Sequence, residues 1–290
     1  MRIAILTQPL RYNYGGILQN FALQTVLLRM GNNVVTLDPK RNNYTLFQHA
    51  VFILRHICGK YIKRHKQTKI LEEWNKDKQI RVMGKYTFPF IDKHINRKKI
   101  TNLNKDIKHD DFDTFIVGSD QVWRPEYNPN LPNMFLDFTK GWNVKRMAYA
   151  ASFGIDTWSA DMEITKKCRE CICKFDVVTV REKKGVDMCM QLFGVRAKWV
   201  LDPTLLLSKE DYITLLELDK IKTSIGSLYV YILDENDENK KLVSDLAIKF
   251  DMIPYSYNSK ALDWKNKHTL QEKIQPPVEL WCKGFDQAKC

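Results

Sequence analysis

A chain of 290 residues, 44% apolar and 28% charged with a net charge of +12, has the composition of a globular protein with two domains of ordinary size. No run approaches the ~18 apolar residues of a membrane-spanning helix, and the apolar start Met1–Leu6 is too short for a signal peptide, so a cytoplasmic protein is expected. Seven scattered cysteines, an odd number, argue against a disulfide scaffold.

In chain order, Arg2–Leu6 reads as a strand, followed by a polar loop to Gly15-Gly16. Ile17, Phe21, Ala22, Leu23, Val26 and Leu27 then give the 3.6-residue period of a helix over Ile17–Met30, which Gly31 stops. Val34–Leu37 is a second strand ending in Asp38, completing a βαβ unit. The paired glycines lack the spacing of a dinucleotide fingerprint and the lysine of a phosphate loop. They still let backbone approach a ligand, and Gln19 and Asn20 in the first turn add donors and acceptors suited to a sugar or a carboxylate.

The next stretch, about 42–108, reads as a basic helical insertion. Between Arg55 and His109 there are 16 Lys/Arg against five Asp/Glu, a net of +11. Such a segment attracts anionic headgroups or other polyanions. A solvated surface face is the plainer reading, with peripheral contact at the inner face of the membrane the minority one.

Thr114–Val117 is a short, unbroken apolar run, the pattern of a strand covered on both faces, and it stops at Gly118-Ser119-Asp120. Ligands of open parallel α/β sheets bind at such carboxyl ends. Asn128–Pro132 reads as a polar loop long enough to cap a site. Arg146–Ser152 is a strand, and Ser159–Lys174 a helix with Ser159 as N-cap. Cys168, Cys171 and Cys173 on that helix are expected to be packing residues, because one helix cannot supply a tetrahedral metal site.

Val177–Val180 is a strand ending at Arg181-Glu182, Gly185–Gly194 a helix, and Lys198–Leu201 a strand ending at Asp202-Pro203-Thr204. Five strand ends thus carry polar clusters. A second unit opens near Leu207, with strands Leu228–Leu233 and Ile253–Tyr257 and helices Asn236–Phe250 and Val278–Asp286. The domains are expected at 1–206, with the basic insertion, and at 207–290.

Five segments together carry a resemblance: NYGGILQNFALQ (Asn13–Gln24), VGSDQVW (Val117–Trp123), YAASFG (Tyr149–Gly154), TVREKKG (Thr179–Gly185) and LDPTLLL (Leu201–Leu207). In these pieces and their order the chain resembles the polysaccharide pyruvyl transferase family. The resemblance implies two Rossmann-like halves of the GT-B kind, the second incomplete here. It also implies phosphoenolpyruvate as donor and a glycan or lipid-linked sugar as acceptor, with a pyruvate ketal as product and no cofactor or metal. Arg181 matches an arginine the family uses for the donor. Asp120 is expected to serve the acceptor hydroxyls, and Asn13, Gly15, Gly16, Gln19, Gly118, Ser119, Ser152, Glu182 and Asp202 to line the site.

One departure stands out. The family's Ser-Phe-His-Gly segment, whose histidine is expected to bind the donor, does not occur, and His268 has the wrong neighbours. A member cut short before that motif, with weak or no transfer, is therefore expected. The alternatives are a nucleotide-sugar glycosyltransferase of the same build and an inactive sugar-binding partner in a polysaccharide locus. Nucleic-acid binding rests on the basic stretch alone and is not expected.

Overall fold

A computed structural model describes residues 1–39, 79–215, 226–232 and 236–256. The chain divides into two compact units, one of residues 1–41 and 91–208, the other of 42–90 and 209–290.

The first unit is built on seven strands: β1 (Arg2–Leu6), β2 (Asn33–Pro39), β3 (Arg97–Ile100), β4 (Thr114–Val117), β5 (Lys145–Ala151), β6 (Val177–Val180) and β7 (Lys198–Trp199). They pair in the order β3-β2-β1-β4-β5-β6-β7, every pair parallel. This doubly wound order reverses direction between β1 and β4, and a ligand crevice opens at the carboxyl ends on either side of that reversal.

Alternation along the strands splits the core. Ile3, Ile5, Val34 and Ile116 face one layer with Leu23 of helix α1 (Tyr14–Arg29), while Ala4, Leu6, Leu37, Phe115 and Val117 face the other. Cys168 and Ile172 of helix α2 (Met162–Ile172) pack in that second layer, as does Trp123, which is fully buried and stacked on Phe135.

Several local expectations change. Helix α1 begins three residues before Ile17, with Asn13 as its N-cap, so Gly15 and Gly16 lie in its first turn rather than in a loop. The stretch read as a helical insertion contains β3, a charged edge strand that joins the sheet because Arg97 pairs with Asp38 of β2 and with Asp92. Residues 40–78 of that stretch lie outside the described residues.

Asp161, not Ser159, caps α2 by accepting from the Ile164 amide; the Ser159 hydroxyl donates to Glu126 instead. Cys168 packs in the core as expected, whereas Cys173 is exposed. In the 128–132 loop, Asn128 is buried, donates to the carbonyls of Val122 and Arg124 and accepts from Gln8 Nε2 (3.1 Å), and Leu131 is in the core. The helix after β6 starts earlier than expected, as α3 (Lys183–Met188), and runs into a π turn at Cys189–Phe193.

In the second unit, β8 (Leu228–Tyr229) and β9 (Pro254–Tyr255) pair in parallel around helix α4 (Asp237–Phe250), which Asn236 caps. Both strands are shorter than the sequence suggests. The expected helix Val278–Asp286, and His268, lie outside the described residues. Among the described residues no helix is long and apolar enough to cross a membrane.

Candidate active site

At the β1/β4 reversal, α1 and the turn after β4 come within contact distance. A Cβ added to Gly16 would sit 3.0 Å from Asp120 Oδ2, so any larger residue would press on that carboxyl. Just past β1, the Thr7 hydroxyl donates to the Ser119 carbonyl (3.1 Å) and accepts from Gln19 Nε2 (3.1 Å). Gln19 is buried, and its Oε1 has no partner among the described residues. Asn13 Oδ1 accepts from the Gly15 amide (3.1 Å). A Cβ at Gly118 would meet Ile5 Cγ2 at 3.4 Å, an ordinary contact.

Asp120 has a left-handed backbone, φ 84°. Aspartate tolerates this region better than most residues, but it is sparsely populated and recurs at functional sites. The conformation is held by the Asp120 carbonyl, which accepts from the amides of Val122 (2.8 Å) and Ser152 (3.1 Å), while Asp120 Oδ1 accepts from the Gln121 amide (2.8 Å). Burial raises the Asp120 pKa above the usual carboxylate value and Asp202 adds to the rise, with the Gln121 amide and Arg181 opposing.

From β6 comes Arg181. Its Nη1 donates to Asp202 Oδ2 (2.9 Å) and Ser119 Oγ (3.3 Å), and its Nε to Glu182 Oε1 (3.4 Å). Its Nη2 donates to no described residue. Burial works against the guanidinium charge, yet bonding to Asp202, with Glu182 and Asp120 adding, holds its pKa above the ordinary value. Glu182 Oε1 also accepts from the Ser152 hydroxyl.

Asp202 arrives by a different route from the one expected. Strand β7 stops at Trp199, and the Val200 amide bonds back to Val180 of β6 (3.0 Å). The chain then crosses the rim to the end of β4, and the turn Pro203–Leu206 packs on α1. Asp202 pins this strap: Oδ2 accepts from Ser119 Oγ (3.0 Å) and Arg181, Oδ1 from the Thr204 amide (3.0 Å) and hydroxyl (2.8 Å). Burial alone would raise the Asp202 pKa, but the Thr204, Arg181 and Ser119 bonds outweigh it and hold the carboxyl below the usual value.

All the residues singled out from the sequence therefore gather on one rim. Asp202 is saturated and holds Arg181; Asp120 is the carboxyl biased toward its protonated form.

Three further residues lie beside these groups. Tyr149 sits near Asp202, its phenol pKa raised by burial and then by that charge. Gln121 lies under Gly154 (φ 71°), where a Cβ would stand 2.5 Å from the Gln121 side chain. Lys184 lines a hollow with Arg181. Tyr149, Gln121 and Lys184 all fall inside quoted segments and could have been drawn from them. Among the described residues no group of His, Cys, Asp and Glu could hold a metal ion.

No curated protein matches the chain. The family model for polysaccharide pyruvyl transferase matches residues 13–279, a span that contains helix α1, Asp120, Arg181 and the Asp202 strap. With that match over most of its length, the chain belongs to the polysaccharide pyruvyl transferase family.

Proposed function

We propose that the protein transfers pyruvate from phosphoenolpyruvate to two hydroxyls of one sugar, closing a cyclic ketal on a glycan or its lipid-linked precursor. The observation that carries this reading is the gathering on one rim of Asp120, whose pKa burial raises, and Arg181, whose Nη2 has no described partner.

Protonated Asp120 gives its proton to the methylene carbon of phosphoenolpyruvate, turning it into a methyl group and leaving an oxocarbenium-like centre. The first sugar hydroxyl attacks that centre and returns a proton to the Asp120 carboxylate. The C–O bond to phosphate then breaks, the second hydroxyl closes the ring, and its proton leaves with phosphate. Arg181 holds the donor's anionic end through Nη2 while Asp202 fixes its other edge. A lipid-linked acceptor would place this chemistry at a membrane surface, toward which the basic stretch 55–109 would be drawn.

The test is ligand-induced thermal stabilisation of the full chain. Phosphoenolpyruvate is expected to raise the melting temperature and nucleotide sugars to leave it unchanged, with Arg181→Ala abolishing the rise. Stabilisation by a nucleotide sugar and not by phosphoenolpyruvate would replace the reading with glycosyl transfer.

A further inference from the structure

Beside Arg181, between the turn after β5 and the start of α3, lies a hollow of about 210 Å³. Its lining includes Gln121, Gly154, Arg181, Glu182 and Lys184, with the exposed Asp156 at its mouth. That volume is below the ~300–1,000 Å³ of sites for drug-sized ligands and suits a small molecule.

Two cations line it with donors unspent: Arg181, whose Nη2 has no described partner, and Lys184, whose ammonium makes no hydrogen bond or ion pair with any described residue. Of the two acids that line it, Glu182 is engaged through Oε1 by Ser152 and Arg181 while its Oε2 has no described partner, and Asp156 is exposed. Lys184 also has no local reason to be where it is. The first turn of α3 holds Lys183 and Lys184 and no acid, the opposite of what a helix start favours. A local rule broken beside a site is the usual mark of a functional demand.

Resting on the reading above, we propose that Lys184 and Arg181 Nη2 form a two-point anion clamp, each taking one of the two anionic groups of a small donor. Phosphoenolpyruvate, with a phosphate and a carboxylate close together, fits such a pair. Inorganic phosphate and pyruvate each satisfy only one point. The clamp therefore selects for two neighbouring anionic groups, and Lys184 is a specificity residue rather than surface charge.

Calorimetry on the full chain with phosphoenolpyruvate, inorganic phosphate and pyruvate tests this. Phosphoenolpyruvate should bind more tightly than either fragment. Lys184→Gln should weaken it about ten- to hundredfold, the range of one charge-assisted hydrogen bond, and Lys183→Gln less than about twofold. Lys184→Gln should also bring phosphoenolpyruvate down toward the affinity of the single-anion fragments. Unchanged phosphoenolpyruvate affinity in Lys184→Gln, or equal losses in the two lysine variants, would overturn the clamp and leave donor use standing. No binding of phosphoenolpyruvate by the unaltered chain would overturn donor use, and the clamp with it. Lys184 is exposed, so an unchanged melting temperature is expected to confirm that the variant folds.

Discussion

The two ends of the seven-stranded sheet carry similar residues and treat them oppositely. At the amino end, Arg2 spends all three guanidinium nitrogens, on Asp113 and the Asp110 carbonyl. Asp176 accepts from the Arg146 amide, and the Arg146 side chain donates to Thr139 Oγ1 and to the carbonyls of Thr139, Trp142 and Val144. At the carboxyl end, Arg181 keeps Nη2 open, Gln19 Oε1 and Glu182 Oε2 have no described partner, and Asp120 is biased toward protonation. The two arginines at the amino end spend their donors on the fold, although Thr114 Oγ1 there has no described partner; at the carboxyl end Arg181, Gln19 and Glu182 are left short of partners, the condition in which a ligand can supply them. Removing a side chain from the first end should therefore cost stability and spare binding, and removing one from the second should do the reverse.

The largest effect is expected at Asp120. Asp120→Asn keeps the shape and suits the left-handed backbone, but it has no proton to give, so transfer should fall about 10²–10⁴-fold, the usual worth of a general acid. Stability should move the other way. The folded pKa of Asp120 is raised, so the contribution of this group is fully present below its unfolded pKa of about 3.9 and is lost as pH rises through the folded value. Asparagine removes that loss. The variant should melt higher than the parent at pH 7, with the gap closing in acid, and a variant that melts lower at pH 7 would show that Asp120 is a structural acceptor.

Arg146 is the counterpart at the other end. Arg146→Ala strips donors from four acceptors around a buried turn, and a loss of about 3 kcal/mol is expected in urea unfolding. Phosphoenolpyruvate affinity of the folded fraction should stay within about twofold. Arg146→Lys should recover little, because a single ammonium cannot reach carbonyls arranged around a planar fork.

How much of this was readable beforehand follows the same division. β1, β4 and β6 stand out as apolar runs because parallel strands are covered on both faces, and their polar endings show where the site is. β3 did not: Arg97-Lys98-Lys99-Ile100 carries no strand signal, and its place depends on Asp38 and Asp92, far from it or off its strand. The first turn of α1 was missed because two glycines weaken a helix locally, and the gain that offsets them, room for Asp120, is tertiary. Asp202 does lie on the rim, but not by the route its local sequence suggests. Its local sequence suggests a strand end, whereas its position comes from a strap across two strands. Neither the left-handed φ of Asp120 nor the direction of its pKa has any local signature, since both come from what surrounds it.

The smallest effect tests whether a fully matched pair must also be a strong one. Asp113 accepts from the Arg2 amide (2.8 Å) and guanidinium (2.6 Å), and these bonds hold its pKa down at about 2. Its folded pKa is depressed, so the contribution is present above the unfolded value of about 3.9 and is lost as pH falls toward about 2. Arg2 and Asp113 are both about half exposed, with side-chain accessibilities of 51% and 42%, and water and salt compete for both partners. Asp113→Asn should then barely move the unfolding midpoint at pH 7. What difference there is should vanish in 1 M salt, where the screening length falls to ~3 Å. A loss comparable to that of Arg146→Ala, and insensitive to salt, would mean that Asp113 acts by fixing the start of β4 against β1 through the Arg2 amide rather than by its charge.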